Sequence, residues 1–498
     1  MDPSIPYHEA AISKLQNGSL FIQDAFIDGK WVAKEKKFDV YEPSTGTVMG
    51  QVANCDRLDF QTAIQSASTA QTRFWESSTG ASRGAILRRW YELILSNSDD
   101  IATILCLENG KTFAEAKGEV TYAASFISWF AEEAARSYGV TIPSSSLHTT
   151  LWTVREPAGV CGIITPWNFP AAMITRKIAP ALAAGCSVVI KPPSETPYTC
   201  FALTKLAVEA GLPSGLIQVC PTKDREASTE LATNPTVKKI SFTGSTGVGK
   251  MLAKLASSTL KKVSLELGGN APFIVFDDAD LDLAVEGAMF CKFRCSGQTC
   301  VCANRFYVQK GVAKEFTRKL VEKVSALKLG PGLEVSTTQG PLVNKSAVDK
   351  VQEHVSDAVQ KGAKVEIGGS APGLSGFFYE PTVLSGVPRE AAVSKDETFG
   401  PLAPIFEFST EDEAVELANN TEFGLAGYFF SKDVGQVMRM AQRLQVGMLG
   451  INTGKISAAE APFGGIKESG YGKEGSLFGL AEYQNIKAVT LGNTQLGA

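Results

Sequence analysis

The feature that most limits the fold of this chain is an alternation beginning near residue 149. Two short apolar runs, Val160-Cys-Gly-Ile-Ile-Thr165 and Ser187-Val-Val-Ile190, flank a helical stretch from Ala171 to Ala184. Runs this short and this continuously apolar suit strands buried on both faces. The series continues with strands at Leu216 to Val219 and Lys239 to Phe242, and helices at Ala227 to Thr233 and Val248 to Ser257. Repeated strand, helix, strand predicts an open parallel sheet covered by helices. Upstream, Ala81 to Leu95, Ile101 to Glu108 and Ala114 to Ser137 carry apolar residues three and four apart and predict helices. Thr149 to Arg155 alternates like a strand.

After Gly268-Gly269-Asn270 a second series begins. Strands are predicted at Pro272 to Phe276, Arg305 to Val308, Thr382 to Leu384 and Leu402 to Glu407. Helices are predicted at Leu281 to Phe293, Lys314 to Leu327, Val348 to Lys361 and Glu411 to Asn419. The fold class is therefore α/β, with two lobes that part near residue 266. Ala488 to Leu491 predicts a terminal strand. At 498 residues and 44% hydrophobic, the chain has material for more than one large core.

Charge removes several functions. Lys and Arg number 48 against 52 Asp and Glu, a net −4, so nothing favours nucleic acid or an anionic membrane. No run of 18 apolar residues offers a bilayer span. The opening Met1-Asp-Pro-Ser-Ile-Pro-Tyr-His-Glu shows no secretory or mitochondrial address, which points to the cytoplasm. Ten cysteines are too sparse for a disulfide scaffold and are expected as thiols. The three histidines, His8, His148 and His354, lie far apart, and no Cys-x-x-Cys exists. No metal site is expected. A catalytic base here should be a carboxylate or a lysine.

Two nucleotide motifs nearly fit. Gly244-Ser-Thr-Gly-Val-Gly249-Lys250 matches a P-loop until Met251 replaces the hydroxyl that would hold Mg²⁺. Gly470-Tyr-Gly472-Lys-Glu-Gly475 has dinucleotide spacing but no βαβ context, and reads better as a glycine-rich turn. Gly244 and Ser245 follow a strand and open a helix, so they remain a candidate pyrophosphate seat. In Gly297-Gln-Thr-Cys300-Val-Cys302, Cys300 follows a glycine turn that can project a nucleophilic thiol; a buried structural cysteine is the alternative. Cys302, about 6.6 Å further along an extended segment, is either a strained redox partner of Cys300 or a spectator.

At this point the chain resembles a known family. Pro166-Trp-Asn168-Phe-Pro170, Lys191-Pro-Pro-Ser-Glu-Thr-Pro197, Phe242-Thr-Gly-Ser245, Leu265-Glu266-Leu-Gly-Gly-Asn270, Gly297-Gln-Thr-Cys300, Glu397-Thr-Phe-Gly-Pro401 and Pro462-Phe-Gly-Gly465 stand in the order of the aldehyde dehydrogenase superfamily. The resemblance implies that Cys300 attacks an aldehyde. It implies that the Asn168 amide and the Cys300 N–H hold the oxyanion, and that hydride leaves to a nicotinamide. Glu266 would then activate the water that hydrolyses the thioester. Trp167, Lys191, Ser194, Gly244, Ser245, Glu397 and Phe399 would form the cofactor site. Lys177 matches a position sometimes invoked as a proton relay, with a helix-surface lysine as the alternative.

NAD-preferring relatives commonly carry an acid three places after the motif lysine; here that place is Ser194, with Glu195 one further on. An acid would repel a 2′-phosphate, so NADP is expected as preferred cofactor, with NAD also admitted. Arg176, Arg294 and Ser457 match the substrate-carboxylate clamp of the succinate-semialdehyde branch, and the arginine fork fits a carboxylate. The alternative for either arginine is pairing with an internal acid. The expected reaction is oxidation of succinate semialdehyde to succinate through a thiohemiacetal and a thioester. Another carboxylated semialdehyde, such as glutarate semialdehyde, is the runner-up. A non-enzymatic binding protein and a thiol esterase are the rivals of other classes.

The resemblance also implies an architecture. A Rossmann-type cofactor domain would take residues 1–135 and 155–265, and a catalytic domain 266–470. An extended oligomerisation arm would take 136–154, joined by a C-terminal strand within 471–498. The assembly would be a homodimer or homotetramer, with neither nucleic acid nor membrane as partner.

Overall fold

The apolar runs pair as their composition dictates. In the computed structural model, which describes residues 6–493, two sheets are built largely of parallel strands. The first has eight strands, and its parallel centre runs in the order Ile217–Val219, Ser187–Lys191, Val160–Ile164, Val237–Thr243, Lys262–Glu266. Ala25–Ile27 and Lys30–Val32 close one edge and Gly470–Tyr471 the other, all antiparallel. The second sheet has seven strands in the order Lys364–Ile367, Thr382–Ser385, Leu402–Phe408, Ala303–Gln309, Ala271–Val275, Ala426–Phe430, Met448–Ile451. Only its Lys364–Ile367 edge is antiparallel.

Two features of this topology place the site. In the first sheet the chain moves outward from Val160–Ile164 on one side and later from Val237–Thr243 on the other. Between neighbours that depart in opposite directions a crevice opens at the carboxyl ends, where open α/β sheets bind ligands. The second feature is the crossover. Only Leu267 to Asn270 separates strand Lys262–Glu266 from strand Ala271–Val275. The carboxyl ends of the first sheet therefore abut the amino ends of the second.

The predicted elements from 81 onward are present, most within two residues of the expected ends. The lobe boundary near 266 coincides with the last parallel strand of the first sheet. Two limits differ. The arm strand Thr150–Pro157 runs past 154, and the chain is already back on the first sheet at Gly470. The Arg57–Ser77 helix was not anticipated. Its Ser, Thr and Gln content hides the buried stripe of Phe60, Ile64, Ala67 and Phe74, and its start is fixed by an Asp56 capping box.

The segment before the nucleophile is strained. Cys295 and Ser296 both sit at φ 52° and Gly297 at φ 74°. Residues in this region cost about 1–3 kcal/mol each and persist only where neighbours hold them. Here the Cys295 N–H donates to Glu115 Oε1 at 2.7 Å, and Ser296 Oγ donates to the Gly340 carbonyl at 2.7 Å. Next, the Cys302 N–H donates to the Thr299 carbonyl at 2.9 Å and closes a turn. The extended geometry expected between Cys300 and Cys302 is therefore replaced by a bend. A Cβ on Gly297 would lie 2.1 Å from the Gly400 carbonyl oxygen. Gly297→Ala should lower stability by about 2 kcal/mol or more and cut turnover with it. Thermal melting of both proteins checks this; an unchanged Tm would contradict the reading.

Candidate active site

The residues singled out in the sequence converge where the two sheets meet. Strand Val160–Ile164 leads into Trp167 and Asn168, Ser187–Lys191 ends on Lys191, Val237–Thr243 runs into Gly244 and Ser245, and Lys262–Glu266 ends on Glu266. From the other side, Cys300 and Glu397 precede strands Ala303–Gln309 and Leu402–Phe408.

Cys300 is 8% exposed. Burial pushes its thiol up to about 12; the nearby Arg176 charge opposes this, and Glu397, Glu266 and Glu474 add to it. Burial therefore favours the protonated thiol over the thiolate. A Cβ on Gly269 would lie 2.6 Å from the Cys300 carbonyl, so only glycine lets the crossover pass this close. Glu266 is buried with Oε2 unpartnered. Burial first, then the Glu474 carboxylate, raises its pKa well above the carboxylate range, against Arg176, Lys177 and Lys473. A carboxylate with a raised pKa is a stronger base than an ordinary one.

Asn168 is buried, and its Nδ2 donates to the Gln298 carbonyl at 3.0 Å, two residues before the nucleophile. One N–H of that amide remains for an oxyanion. The loop is pinned by residues the sequence did not mark. Lys111 Nζ donates to the Asn168 carbonyl at 2.9 Å and pairs with Glu119 at 2.5 Å, both side chains buried. Glu119 Oε1 in turn accepts the Ala171 and Ala172 N–H groups, at the start of helix Ala172–Ala184. An exposed-looking Lys and a mid-helix Glu carry no pattern that reveals such a pairing.

That helix carries Arg176 and Lys177, both fully buried. Each forms an ion pair with Glu474, which the sequence suggested only as part of a glycine-rich turn. The alternative of an internal acid thus holds for one side of Arg176, while its Nη2 has no hydrogen-bond partner. Its guanidinium lies 4.1 Å from the Phe463 ring centroid. Lys177 is no surface lysine; it also donates to Thr243 Oγ1 at 2.7 Å. Arg294 stands 4.6 Å from the Phe290 ring and 5.4 Å from Phe169, with Nε unpartnered. A cavity of about 100 Å³ runs between Phe290, Arg294, Tyr428, Lys455 and Ser457. Arg176, Arg294 and Ser457 all act on one buried phenol, Tyr122, so the clamp residues share a single space. Cys302 turns away from it, its sulfur 3.0 Å from the Cys291 carbonyl oxygen, and no cysteine is bonded.

The cofactor residues fit a dinucleotide. Ser245 precedes helix Thr246–Ala256 without capping it, leaving N–H groups free at a positive helix end. Trp167 and Phe399 meet edge to face at 5.6 Å. Glu397 is pushed up to about 7 by burial and accepts only the Gly269 N–H, at 3.4 Å, so its carboxyl has capacity for a hydroxyl. Lys191 is depressed by burial, with Glu195 opposing and Arg225 adding to the shift. Ser194 Oγ donates to Glu195 at 3.1 Å. Among the described residues no group of three or more His, Cys, Asp or Glu side chains could hold a metal ion. His354 is buried against Thr398.

The family model for the aldehyde dehydrogenase family matches residues 31–489. The chain belongs to the aldehyde dehydrogenase family. It is 52% identical to the glutarate-semialdehyde dehydrogenase of Pseudomonas aeruginosa, over 96% of this chain and 99% of that one. It is 51% identical to the NADP(+) succinate-semialdehyde dehydrogenase of Escherichia coli, over 96% and 100%. The crystal structure of succinate-semialdehyde dehydrogenase from Burkholderia pseudomallei superimposes with a TM-score of 0.95 at 51% identity, covering 96% of this chain and all of that one.

For this aldehyde dehydrogenase the raised thiol has a measurable consequence. A group whose pKa is raised stays protonated further up the pH scale, and only the thiolate alkylates. The rate of Cys300 carboxymethylation without cofactor should rise about tenfold per pH unit through neutral and mildly alkaline pH. A plateau below pH ~8 would show a thiolate already present.

Proposed function

We propose that this aldehyde dehydrogenase oxidises succinate semialdehyde to succinate with NADP, NAD serving less well. The observation that carries the substrate is the pair Arg176 and Arg294. Arg176 is buried and Arg294 half-buried, and each keeps a buried guanidinium N–H without an acceptor. A buried donor of this kind is costly unless a ligand satisfies it. A carboxylate about four carbons from the reacting centre supplies the missing acceptor. The succinate-semialdehyde relatives from Escherichia coli and Saccharomyces cerevisiae bear names that specify NADP(+), which supports the cofactor, as does a serine at position 194.

The chemistry assigned to these residues is balanced. Cys300 loses its proton to a buried base, and the thiolate adds to the aldehyde carbon. The oxyanion so formed takes N–H donors from Asn168 Nδ2 and the Cys300 backbone. Preorganised donors of this type contribute about 3 kcal/mol each to the barrier. Lys191, Ser194, Gly244, Ser245, Trp167, Glu397 and Phe399 would hold the dinucleotide, which when bound would supply the hydride acceptor. The thioester left on Cys300 is opened by water that Glu266 deprotonates. Carboxylic acid departs, and the thiol is restored.

Glutarate semialdehyde is the second reading. Relatives in Pseudomonas aeruginosa and Pseudomonas putida carry that name at 52% and 53% identity. One methylene is weakly discriminated by a pocket.

We assign residues 1–135 and 155–265 to cofactor binding and 266–470 to catalysis. The arm at 136–154 and the C-terminal strand would mediate a homodimer or homotetramer. Strand Gln484–Leu491 pairs along the whole of Thr150–Pro157, and Thr141–Ile142 adds a third strand. This small sheet exposes Ile142 and Ile486 on one face and Leu491 on the other, apolar surface suited to a second subunit. We place the protein in the cytoplasm; among the described residues no helix is long and apolar enough to cross a membrane.

Arg294→Ala should cut kcat/KM for succinate semialdehyde about thirtyfold or more, and change butanal by only a few-fold. Equal loss on both would make Arg294 a structural residue. NADP should exceed NAD at least tenfold in kcat/KM; the reverse ratio would reject the cofactor assignment. Both readings come from following the reduced cofactor's absorbance.

A further inference from the structure

We infer that Tyr122 is a specificity-determining residue, its phenolic hydroxyl donating a hydrogen bond to the acidic end of the substrate alongside Arg176, Arg294 and Ser457. The inference deepens the proposed function and rests on it. Tyr122 lies within helix Phe113–Glu133, which packs against the helix carrying Arg176. Its ring is fixed edge to face on Phe126 at 4.9 Å.

The hydroxyl itself is buried and has no hydrogen-bond partner. A buried O–H normally finds an acceptor, so an orphaned one in a native site calls for a ligand. Its neighbours are the Arg176 and Arg294 charges and the Ser457 hydroxyl. None of the four is a carboxylate. Burial raises the phenol, so it is present as a donor at neutral pH. Arg176 Nη2 and Arg294 Nε are unpartnered too. Apart from Glu474, which pairs with Arg176 on one side, these groups offer donors in excess of acceptors. A terminal carboxylate, with about four lone-pair sites on two oxygens, matches that surplus. A neutral aldehyde of equal length leaves every one of these donors unsatisfied.

The role assigned is in binding the remote end, not in the bond-breaking step. Loss of the hydroxyl should then appear in KM far more than in kcat. Tyr122→Phe removes only an oxygen that makes no internal hydrogen bond, so the fold and the Phe126 contact are retained.

The test compares wild type and Tyr122→Phe on succinate semialdehyde and on butanal, with NADP saturating. The expected result is a rise in KM for succinate semialdehyde of about tenfold or more, kcat within twofold, and butanal kinetics unchanged. Succinate as an inhibitor should weaken by a similar factor, with an unchanged Tm. If KM and the succinate inhibition constant stay put while Arg294→Ala still loses the acidic substrate, the Tyr122 assignment is overturned and the proposed function stands. Equal loss on butanal would make Tyr122 a packing residue. If wild type itself shows no advantage for succinate semialdehyde over butanal, both fall.

Discussion

The site exists because a very short crossover joins two sheets end to end. Leu267 to Asn270 leaves the carboxyl end of one parallel sheet and enters the amino end of the next. Parallel strands place their connecting loops at such ends, so loops from both sheets are forced into one cleft. Asn168, Gly244 and Glu266 come from one side, Cys300 and Glu397 from the other. Gly269 makes the approach feasible, since any side chain there would strike the Cys300 carbonyl. Nothing in the chemistry assigned to the cleft works without that juxtaposition.

Electrostatics then sets what the cleft can hold. Burial raises the Cys300 thiol, and the nearby carboxyls of Glu397, Glu266 and Glu474 add to the shift while Arg176 opposes it. Buried Arg176 and half-buried Arg294 supply positive charge. Glu474 neutralises part of this positive charge by pairing with both Arg176 and Lys177. What is left over is a fixed set of donors in a small space. An incoming acid-tailed aldehyde satisfies those donors and brings its carbonyl to the thiol.

Much of this was legible from the residues alone. Short apolar runs bounded by glycine and proline can pair only as buried strands, and they did. Cys300, Glu266 and Asn168 were marked by the resemblance to the aldehyde dehydrogenase superfamily; spacing alone left a buried structural cysteine open at Cys300. Other parts were hidden for identifiable reasons. The Arg57–Ser77 helix buries its stripe beneath a polar composition. Glu474, Lys111 and Glu119 act across more than fifty residues of sequence or as buried pairs, and separation erases any local signal. Tyr122 is one aromatic on a helix rich in them. Where the Cys302 sulfur points is set by a turn hydrogen bond that residue spacing does not reveal.

The account stands on one sulfur forming a covalent bond to substrate while Glu266 waits to release it. Glu266→Gln should stall the cycle after oxidation. Mixed with succinate semialdehyde and NADP, then quenched in acid and digested, it should yield a succinyl thioester on the peptide bearing Cys300. One equivalent of reduced cofactor per active site should accompany it. Absence of that adduct, or its appearance on Cys295 or Cys302 instead, would contradict the assignment.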